Sequence, residues 1–340
     1  MTTLSALAAA ILLLGVIMYA VFGGADFGGG IWTALASGPR RREQQESLFQ
    51  AIGPVWETNH VWLIFVVVVL FMVFPAGFAA LFIALLAPLV IALVGINFRG
   101  AAFAFRHFGR ENGKTLPFVA EVFEISSVLT PFAMGMAVAA AAGGSIRLAG
   151  GQVVSGTWDW ITPFTIGGGV VGLAICAYLA PVFMTLRTVG ELREDFRQRA
   201  MVAGWVLGVL SALEIPVAVL SAPVFAARLP APRTLACIAL AIAFGLAAEG
   251  CLWRRLFRAG QLAAAGAVAF ILAGFGAALY PDLILGQLTI AAAVAPRPTL
   301  TAFFVVLPCG VVILAPSLVF LYRTFGGAPN PENPPDDFRV

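Results

Sequence analysis

The sequence predicts an all-α integral membrane protein with about nine transmembrane helices, arranged as two four-helix bundles plus one peripheral helix. Of the 340 residues, 61% are hydrophobic and only 11% are charged, whereas a soluble domain carries roughly 25% charged residues. The mean hydropathy is +0.97. The apolar runs are long and continuous, which favours spanning helices over the short alternating strands of a membrane barrel. This composition excludes a soluble enzyme, a disordered chain and a nucleic-acid binder.

Nine segments are long enough to cross the bilayer, because a spanning helix needs about 20 mostly apolar residues. The first segment follows no Lys or Arg, so we interpret it as a spanning helix and not as a signal peptide. A tight turn at Pro75, Ala76 and Gly77 separates the second segment from the third. The nine predicted segments are residues 5–24, 53–74, 77–97, 117–141, 162–186, 200–226, 234–253, 261–280 and 300–322.

The placement of basic residues predicts the orientation, since Lys and Arg concentrate in cytoplasmic loops. With the N-terminus outside, 16 of the 20 Lys and Arg residues fall in cytoplasmic segments. The outer segments hold only Arg147, Arg228, Arg233 and Arg297. We therefore expect the N-terminus outside and the C-terminus inside. The chain is expected to be a multi-pass protein of the bacterial cytoplasmic (inner) membrane.

The nine segments divide the chain into two halves of similar topology. Residues 1–141 are predicted to form a first four-helix bundle with a polar cluster on its cytoplasmic side, and residues 162–281 a second bundle. An outer loop at 142–161 joins them. The ninth helix is predicted at 300–323, and a Pro-rich cytoplasmic tail follows at 326–340.

Five titratable groups fall in the cytoplasmic third of the first half, where ionisable residues are costly and usually serve a pathway, a cofactor or a partner. Glu57 and His60 are expected roughly 8 and 12 Å inside the second helix. Glu121 and Glu124 are expected about 6 and 10 Å inside the fourth, and Asp26 at the cytoplasmic end of the first. Buried carboxylates and an imidazole can exchange protons near neutral pH. The cluster therefore predicts a proton-uptake path.

Structural interpretations of these groups stay open. Glu57 and His60 could form a neutral pair that fixes helix packing. Glu121 and Glu124 could be paired with Arg99 or Arg106 in a structural ion pair.

Two further acids lie in the second half. Glu214 precedes Pro216, where a helix kink frees backbone groups. Glu249 lies close in sequence to Arg254 and Arg255 and could be an ordinary interfacial charge.

The sequence does not predict a metal or a redox cofactor bound by this chain itself. The four cysteines lie in or at the ends of apolar runs without a C-x-x-C pair, which is typical of packing residues. His60 and His107 are the only two histidines, too few for the axial ligands of several haems.

Four motifs in order along the chain resemble subunit II of the cytochrome bd quinol oxidases. Residues 23–28, GGADFG, are similar to the G-x-D-F/L-G signature that ends the family's first helix. Residues 52–63, IGPVWETNHVWL, resemble the stretch I-G-P-V-W-D-x-N-x-x-W-L. Phe74-Pro75 with Phe78-Ala79 matches the next turn, and residues 99–106, RGAAFAFR, resemble R-G-x-A-F-E-F-R. The motif and packing positions are Gly24, Gly28, Trp56, Asn59, Trp62, Arg99 and Arg106.

The resemblance implies a role within a complex. Subunit II of this family pairs with subunit I as a heterodimer in the membrane lipid. Subunit I is expected to hold haem b and haem d, with quinol from the quinone pool as the substrate. Such a terminal oxidase of the respiratory chain oxidises quinol and reduces dioxygen to water. Subunit II is expected to support assembly of the haem sites and to contribute to cytoplasmic proton uptake.

Three departures indicate a divergent branch of the family. The family's proton-path aspartate corresponds to Glu57 here, which keeps the acid on a longer side chain. His60 stands where many members have an acidic or polar residue, and Ala104 replaces the glutamate of F-E-F-R.

Two other functions are compatible with intramembrane carboxylates. A proton-coupled secondary transporter is one, although such proteins favour inverted repeats and polar groups near the midplane. A purely structural subunit, in which the buried acids serve packing, is the other.

Overall fold

The long apolar segments form helices because a chain in lipid must satisfy its own backbone hydrogen bonds. The computed structural model describes residues 3–52, 56–111 and 117–325. Within those ranges, the side chains of residues 52, 56–58, 107–111, 117, 322, 323 and 325 lie outside the description, as does the predicted tail at 326–340.

The described residues contain thirteen helices and two short antiparallel hairpins. β1 (Leu148–Ala149) pairs with β2 (Gln152–Val153), and β3 (Asp282–Ile284) pairs with β4 (Leu288–Thr289). The helices are α1 (Thr3–Ala34), α2 (Arg41–Ile52), α3 (Trp56–Val73), α4 (Pro75–Ala84), α5 (Leu86–Glu111), α6 (Pro117–Ala140), α7 (Pro163–Arg187), α8 (Gly190–Ser221), α9 (Pro223–Ala226), α10 (Pro232–Trp253), α11 (Phe257–Leu279), α12 (Ile290–Ala293) and α13 (Arg297–Phe325).

Eight helices of the described chain are long and apolar enough to cross a membrane, namely α1, α5, α6, α7, α8, α10, α11 and α13. The α3–α4 pair, bent by 119°, makes a ninth if the pair counts as one span. This confirms the all-α integral membrane class. The orientation of the termini and the division into two bundles stay predictions.

The first helix is longer than predicted. The sequence pattern ended it at residue 24, but α1 continues to Ala34. Glycine weakens a helix in water, yet most of Gly23–Gly30 is buried in the protein, where close packing compensates. Asp26 therefore lies about 12 Å before the end of α1 and not at the end itself.

The third span also begins later than predicted. Residues 77–97 were expected to form one helix, but Pro75 starts the short helix α4 and the spanning helix α5 begins only at Leu86. Proline is well suited to the first helical position, where its missing N–H costs nothing. Arg99 and Arg106 consequently lie inside α5, whereas the charge pattern had placed them in a cytoplasmic loop.

Helix α2 occupies the segment between the first two spans and is joined to the start of α8 by polar contacts. Arg40, just before α2, donates from Nε and Nη2 to the Asp195 carboxylate at 2.8 and 2.7 Å and also pairs with Glu191. Gln44 donates to the same carboxylate at 3.0 Å and accepts from Arg199 at 2.7 Å. This network fixes one end of the helix bundle.

The β1–β2 hairpin lies in the predicted outer loop. Gly150 and Gly151 turn the chain with φ of 57° and 81°, a left-handed conformation that favours glycine. Farther along, Asp159 accepts from the Gly156 N–H at 2.8 Å and from Arg147 at 3.1 Å. These donors hold the pKa of Asp159 below its ordinary value.

The contact between α1 and α7 lies near the centre of the fold. A Cβ at Gly28 would overlap the carbonyl oxygen of Cys176 on α7, whereas a Cβ at Gly24 would sit 3.4 Å from the Leu179 side chain. The predicted small-residue face is therefore a close approach at Gly28 and an ordinary contact at Gly24.

We expect Gly28→Ala to destabilise the protein strongly, by about 1–3 kcal/mol or more, because the added methyl group must separate two packed helices. Gly24→Ala is the matched control and should be nearly neutral. Thermal unfolding of the two purified variants in the same detergent measures the difference. Equal stability of both variants would contradict the close approach of α1 and α7.

A pH-dependent loop transition is expected at Asp159. Because its pKa is lowered in the folded loop, its contacts stabilise the loop above the ordinary pKa of about 4 and are lost as the pH falls through the lowered value. The nearby Trp158 and Trp160 should report this as a fluorescence change below about pH 4. Asp159→Asn should lack this fluorescence transition. If the variant shows the same transition in acid, a group other than Asp159 causes it.

Candidate functional site

The site is built around Asp26. This residue is only 5% exposed and lies inside the helix bundle. Asn59 on α3 donates from its amide nitrogen to the Asp26 carboxylate at 2.6 Å. The same nitrogen lies 3.4 Å from the carbonyl oxygen of Phe22, one helical turn earlier on α1. The amide therefore holds α1 and α3 together and orients the carboxylate.

Arg99 on α5 connects three helices at the same level. It is 2% exposed, and its Nη2 donates to the backbone carbonyl of Asp26 at 2.7 Å. Its Nε donates to Ser127 on α6 at 3.2 Å, and the Ser127 hydroxyl donates onward to the carbonyl of Phe123 at 2.7 Å. The guanidinium carbon lies 4.9 and 5.1 Å from the ring centroids of Phe27 and Phe123. Hydrogen bonds and cation–π contacts thus stabilise this buried charge.

His60 lies beside this cluster and follows Asn59 directly on α3. Its ring centroid is 6.1 Å from that of Tyr19 and 6.1 Å from that of Phe27. Tyr19 is two helical turns before Asp26 on α1, so it lies on the same helix face. The imidazole is therefore packed among aromatic rings on the side of the cluster away from the end of α1.

A recess of about 240 Å³ is lined in part by Asp26. Its walls come from α1, α2, α3, α7 and α11 and include Asn59, Arg187 and Gln261. Arg187, the last residue of α7, donates to the carbonyl of Ala51 at 2.6 Å. The recess has room for several water molecules and offers them polar partners.

The remaining predicted residues lie apart from the recess or outside the description. Glu121 is exposed, and Glu124 is half-buried within electrostatic range of Arg106 and Arg41. The side chains of Glu57 and Trp56 lie outside the described residues.

Two motif residues make aromatic contacts. Trp62 lies edge-on to Phe65 at 6.3 Å, and Arg106 lies 4.4 Å from the centroid of Phe49.

Of the residues singled out from the sequence, the structure brings Asp26, Asn59, His60 and Arg99 together.

Sequence reasoning missed three features of the site. It treated Arg99 as a motif residue and as a possible partner of Glu121 and Glu124, whereas Arg99 donates its hydrogen bonds to Asp26 and Ser127. It did not single out Ser127 or Tyr19. An arginine inside an apolar segment is itself a signal, because a charge at that depth needs partners. Hydroxyls on neighbouring apolar helices are the natural candidates.

Comparison with known proteins places the chain in a family. The family model described as cytochrome bd terminal oxidase subunit II matches residues 4–325. The chain belongs to this family. Its family is therefore one of terminal oxidase subunits. The membership also agrees with a multi-pass protein of a membrane.

Individual relatives match more locally. A cytochrome bd ubiquinol oxidase subunit 2 of Bacillus subtilis is 30% identical over 200 residues, which is 58% of this chain and 57% of the relative. A cytochrome bd-I ubiquinol oxidase subunit 2 of Escherichia coli is 28% identical over 211 residues, or 59% of this chain and 54% of the relative. The matched segments thus span little more than half of these relatives.

A solved structure agrees with the fold over nearly the whole chain. The bd oxidase from Geobacillus thermodenitrificans matches with a TM-score of 0.80 and 22% identity, covering 95% of this chain and 99% of the matched one. The helix arrangement of the described residues is therefore that of a bd oxidase chain.

Loss of the Arg99 guanidinium should destabilise the protein by about 3–5 kcal/mol, because the buried Asp26 carboxylate would lose its nearby countercharge. Arg99→Gln tests this in a denaturation series of the purified complex, with the exposed Arg258→Gln as the control. In the double variant Arg99→Gln/Asp26→Asn we expect a smaller loss than the sum of the single losses. Additive losses would show that the two groups do not interact.

Proposed function

We propose that this chain acts as subunit II of an oxidase that oxidises quinol and reduces dioxygen to water, and that the recess at Asp26 admits the protons. Family membership supports the first part, and the relatives are named as subunits of quinol oxidases, two of them for ubiquinol and another for menaquinol. The observation that carries the second part is a buried carboxylate at the base of a polar recess. The recess lies among helix ends that the charge pattern predicts to be cytoplasmic.

Reduction of dioxygen to water consumes one proton for each electron, so an oxidase needs a path for protons into the membrane. Water in the recess can deliver a proton to the Asp26 carboxylate, which Asn59 holds in a fixed orientation. Arg99 does not line the recess but contacts the Asp26 backbone, and its positive charge opposes the passage of a free hydronium ion close to it. Protons would therefore move by transfer between groups, with His60 on α3 and Tyr19 on α1 next in line.

The other predicted acids have places in the same proposal. Glu57 is the second residue of α3 and corresponds to the carboxylate that the family resemblance assigns to proton transfer. Glu121 and Glu124 lie on α6 towards Arg106 and are proposed as entry groups at the surface. Because Glu121 and Glu124 do not line the recess at Asp26, we assign them to proton uptake at the surface and not to the buried cluster.

Haem b and haem d are proposed to reside in subunit I, the expected partner. In this chain the His60 ring is packed against Tyr19 and Phe27, which fits a buried imidazole better than an axial ligand facing an open haem pocket. The chain's contribution is therefore to support the haem-bearing subunit and to supply protons. Quinol from the membrane is the proposed substrate of the complex.

Asp26→Asn should slow oxygen consumption by the complex about tenfold or more, because it removes a proton-transfer group and keeps the side-chain shape. The haem spectrum should stay intact, which separates slow proton delivery from failed assembly. Glu191→Gln, an exposed acid at the same end, is the control and should turn over normally. Small weak acids added to the Asp26→Asn enzyme should restore part of the rate.

If Asp26→Asn turns over at the wild-type rate and has a normal haem spectrum, the recess is not part of the proton path. Glu57→Gln provides the companion test at the start of α3 and is expected to slow oxygen reduction while the complex still assembles.

A further inference from the structure

A second, larger cavity lies on the other side of α1 from the Asp26 recess. It measures about 720 Å³ and runs between the α7–α8 pair and the α10–α11 pair. Along α10 its lining extends from Thr234 to Glu249, which is about 22 Å of helix and most of the roughly 30 Å hydrocarbon thickness of a bilayer. The charge pattern predicts that the Thr234 end is the outer one. The cavity therefore reaches from the predicted outer helix ends deep into the membrane.

Helix α1 separates the recess from the cavity. The residues of α1 that line the recess are Phe22, Ala25, Asp26 and Gly29. The residues of α1 that line the cavity are Val16, Tyr19, Ala20, Gly24 and Phe27. With 3.6 residues per turn, the two sets lie on roughly opposite faces of the helix, and Tyr19 lies at the border between them. Water or an ion that passes from the recess to the cavity must therefore go round α1 on one of its two flanks.

The flank of α1 that faces α7 is closed by backbone packing. A Cβ at Gly28 would overlap the carbonyl oxygen of Cys176 and would lie 2.6 Å from the Cβ of Ala180. Cys176 is only 5% exposed. Because the two helices touch without room for even a methyl group, a water molecule does not fit between them at this level.

The opposite flank, which faces α3, is closed by three aromatic rings. The centroid of the His60 ring on α3 lies 6.1 Å from those of both Tyr19 and Phe27 on α1. Phe27 is only 2% exposed. The Tyr19 ring fits here because residue 23 is glycine, since a Cβ at Gly23 would come within 2.9 Å of it. We refer to Tyr19, Phe27 and His60 as the ring cluster.

The ring cluster lies between two polar regions. On the recess side, Asn59 donates to the Asp26 carboxylate. On the cavity side, Glu214 and Glu249 each have a carboxylate oxygen without a hydrogen-bond partner among the described residues, and such groups can bind water. The Tyr19 hydroxyl also has no partner within the described part of the chain, so it makes no hydrogen-bonded link there between the two regions.

We propose that the ring cluster is the barrier that keeps the protons of the recess from crossing the membrane. The proposal rests on the proposed function, because a recess that carries protons needs such a barrier. Protons from Asp26 move by group transfer as far as these rings, and the rings exclude the water that would carry them into the cavity. The positive charge of Arg99, 4.9 Å from the Phe27 centroid, opposes hydronium at the same level. Without the rings, the recess and the cavity would join into one path across the bilayer.

The passive proton permeability of the complex in sealed lipid vesicles tests the proposal. No quinol is added, so turnover does not contribute to the flux. A potassium gradient with valinomycin drives protons across the membrane, and a pH-sensitive dye inside the vesicles reports their entry. We expect Tyr19→Ala to raise the proton flux severalfold, because loss of the ring makes room for water between the recess and the cavity. Tyr19→Phe keeps the ring and should leave the flux at the wild-type level.

Two further variants make the test specific to the ring cluster. Phe270→Ala is the matched control, because it removes an aromatic ring from the cavity lining where that ring stacks on Phe244 of α10 and not on α1. It enlarges the cavity without opening the barrier and should not raise the flux. Gly23→Ala places a methyl group against the Tyr19 ring, so it should raise the flux and gives a second measurement if Tyr19→Ala does not assemble. Elution as an intact complex shows that each variant has assembled.

Wild-type proton flux in the assembled Tyr19→Ala and Gly23→Ala variants would overturn the proposal. An equal rise in Phe270→Ala or in Tyr19→Phe would overturn it too, since neither change opens the space between the rings. This failure is distinguishable from a failure of the proposed function, because the turnover of Asp26→Asn tests proton uptake and the flux without quinol tests the barrier.

Discussion

The guanidinium of Arg99 is the group on which the first half of the fold depends. A charge this deeply buried is expensive in lipid, and it persists here because its hydrogen bonds reach α1 and α6 while two phenylalanine rings cover it. Each of these two helices supplies one hydrogen-bond acceptor and one ring, and Arg99 itself belongs to α5. The positions of α1, α5 and α6 relative to one another are therefore tied to the satisfaction of a single side chain.

The Asp26 cluster follows from this arrangement. Arg99 uses the backbone carbonyl of Asp26 and leaves the carboxylate to Asn59 and to the recess. A direct ion pair would have neutralised the acid and closed it to water. Because the positive charge is close but bonded elsewhere, the carboxylate stays available for exchange with solvent while the helix around it is held rigidly.

Hydropathy was sufficient to predict the membrane class, because each span must be apolar along its whole length. It could not predict that α1 continues past Gly23–Gly30, since glycine favours a helix end unless other helices pack against it. Hydropathy also could not predict the contact between Arg99 and Asp26, which are 73 residues apart. Such contacts depend on how the helices pack against one another, and hydropathy carries no information about that packing. For the same reason the sequence could not show that Arg255, six residues after Glu249, pairs with Glu194.

The sharp bend between α3 and α4 is hydrogen-bonded to the segment that precedes α13. A broken helix leaves backbone carbonyls without their usual partners, and the carbonyl of Val73 instead accepts from the N–H of Ala295 at 2.8 Å. Ala295 belongs to the segment that leads into α13. The hydrogen bonding of the α3–α4 bend is therefore completed only by residues that are synthesised late. Until residue 295 has been synthesised and folded into place, the Val73 carbonyl lacks this hydrogen-bond partner.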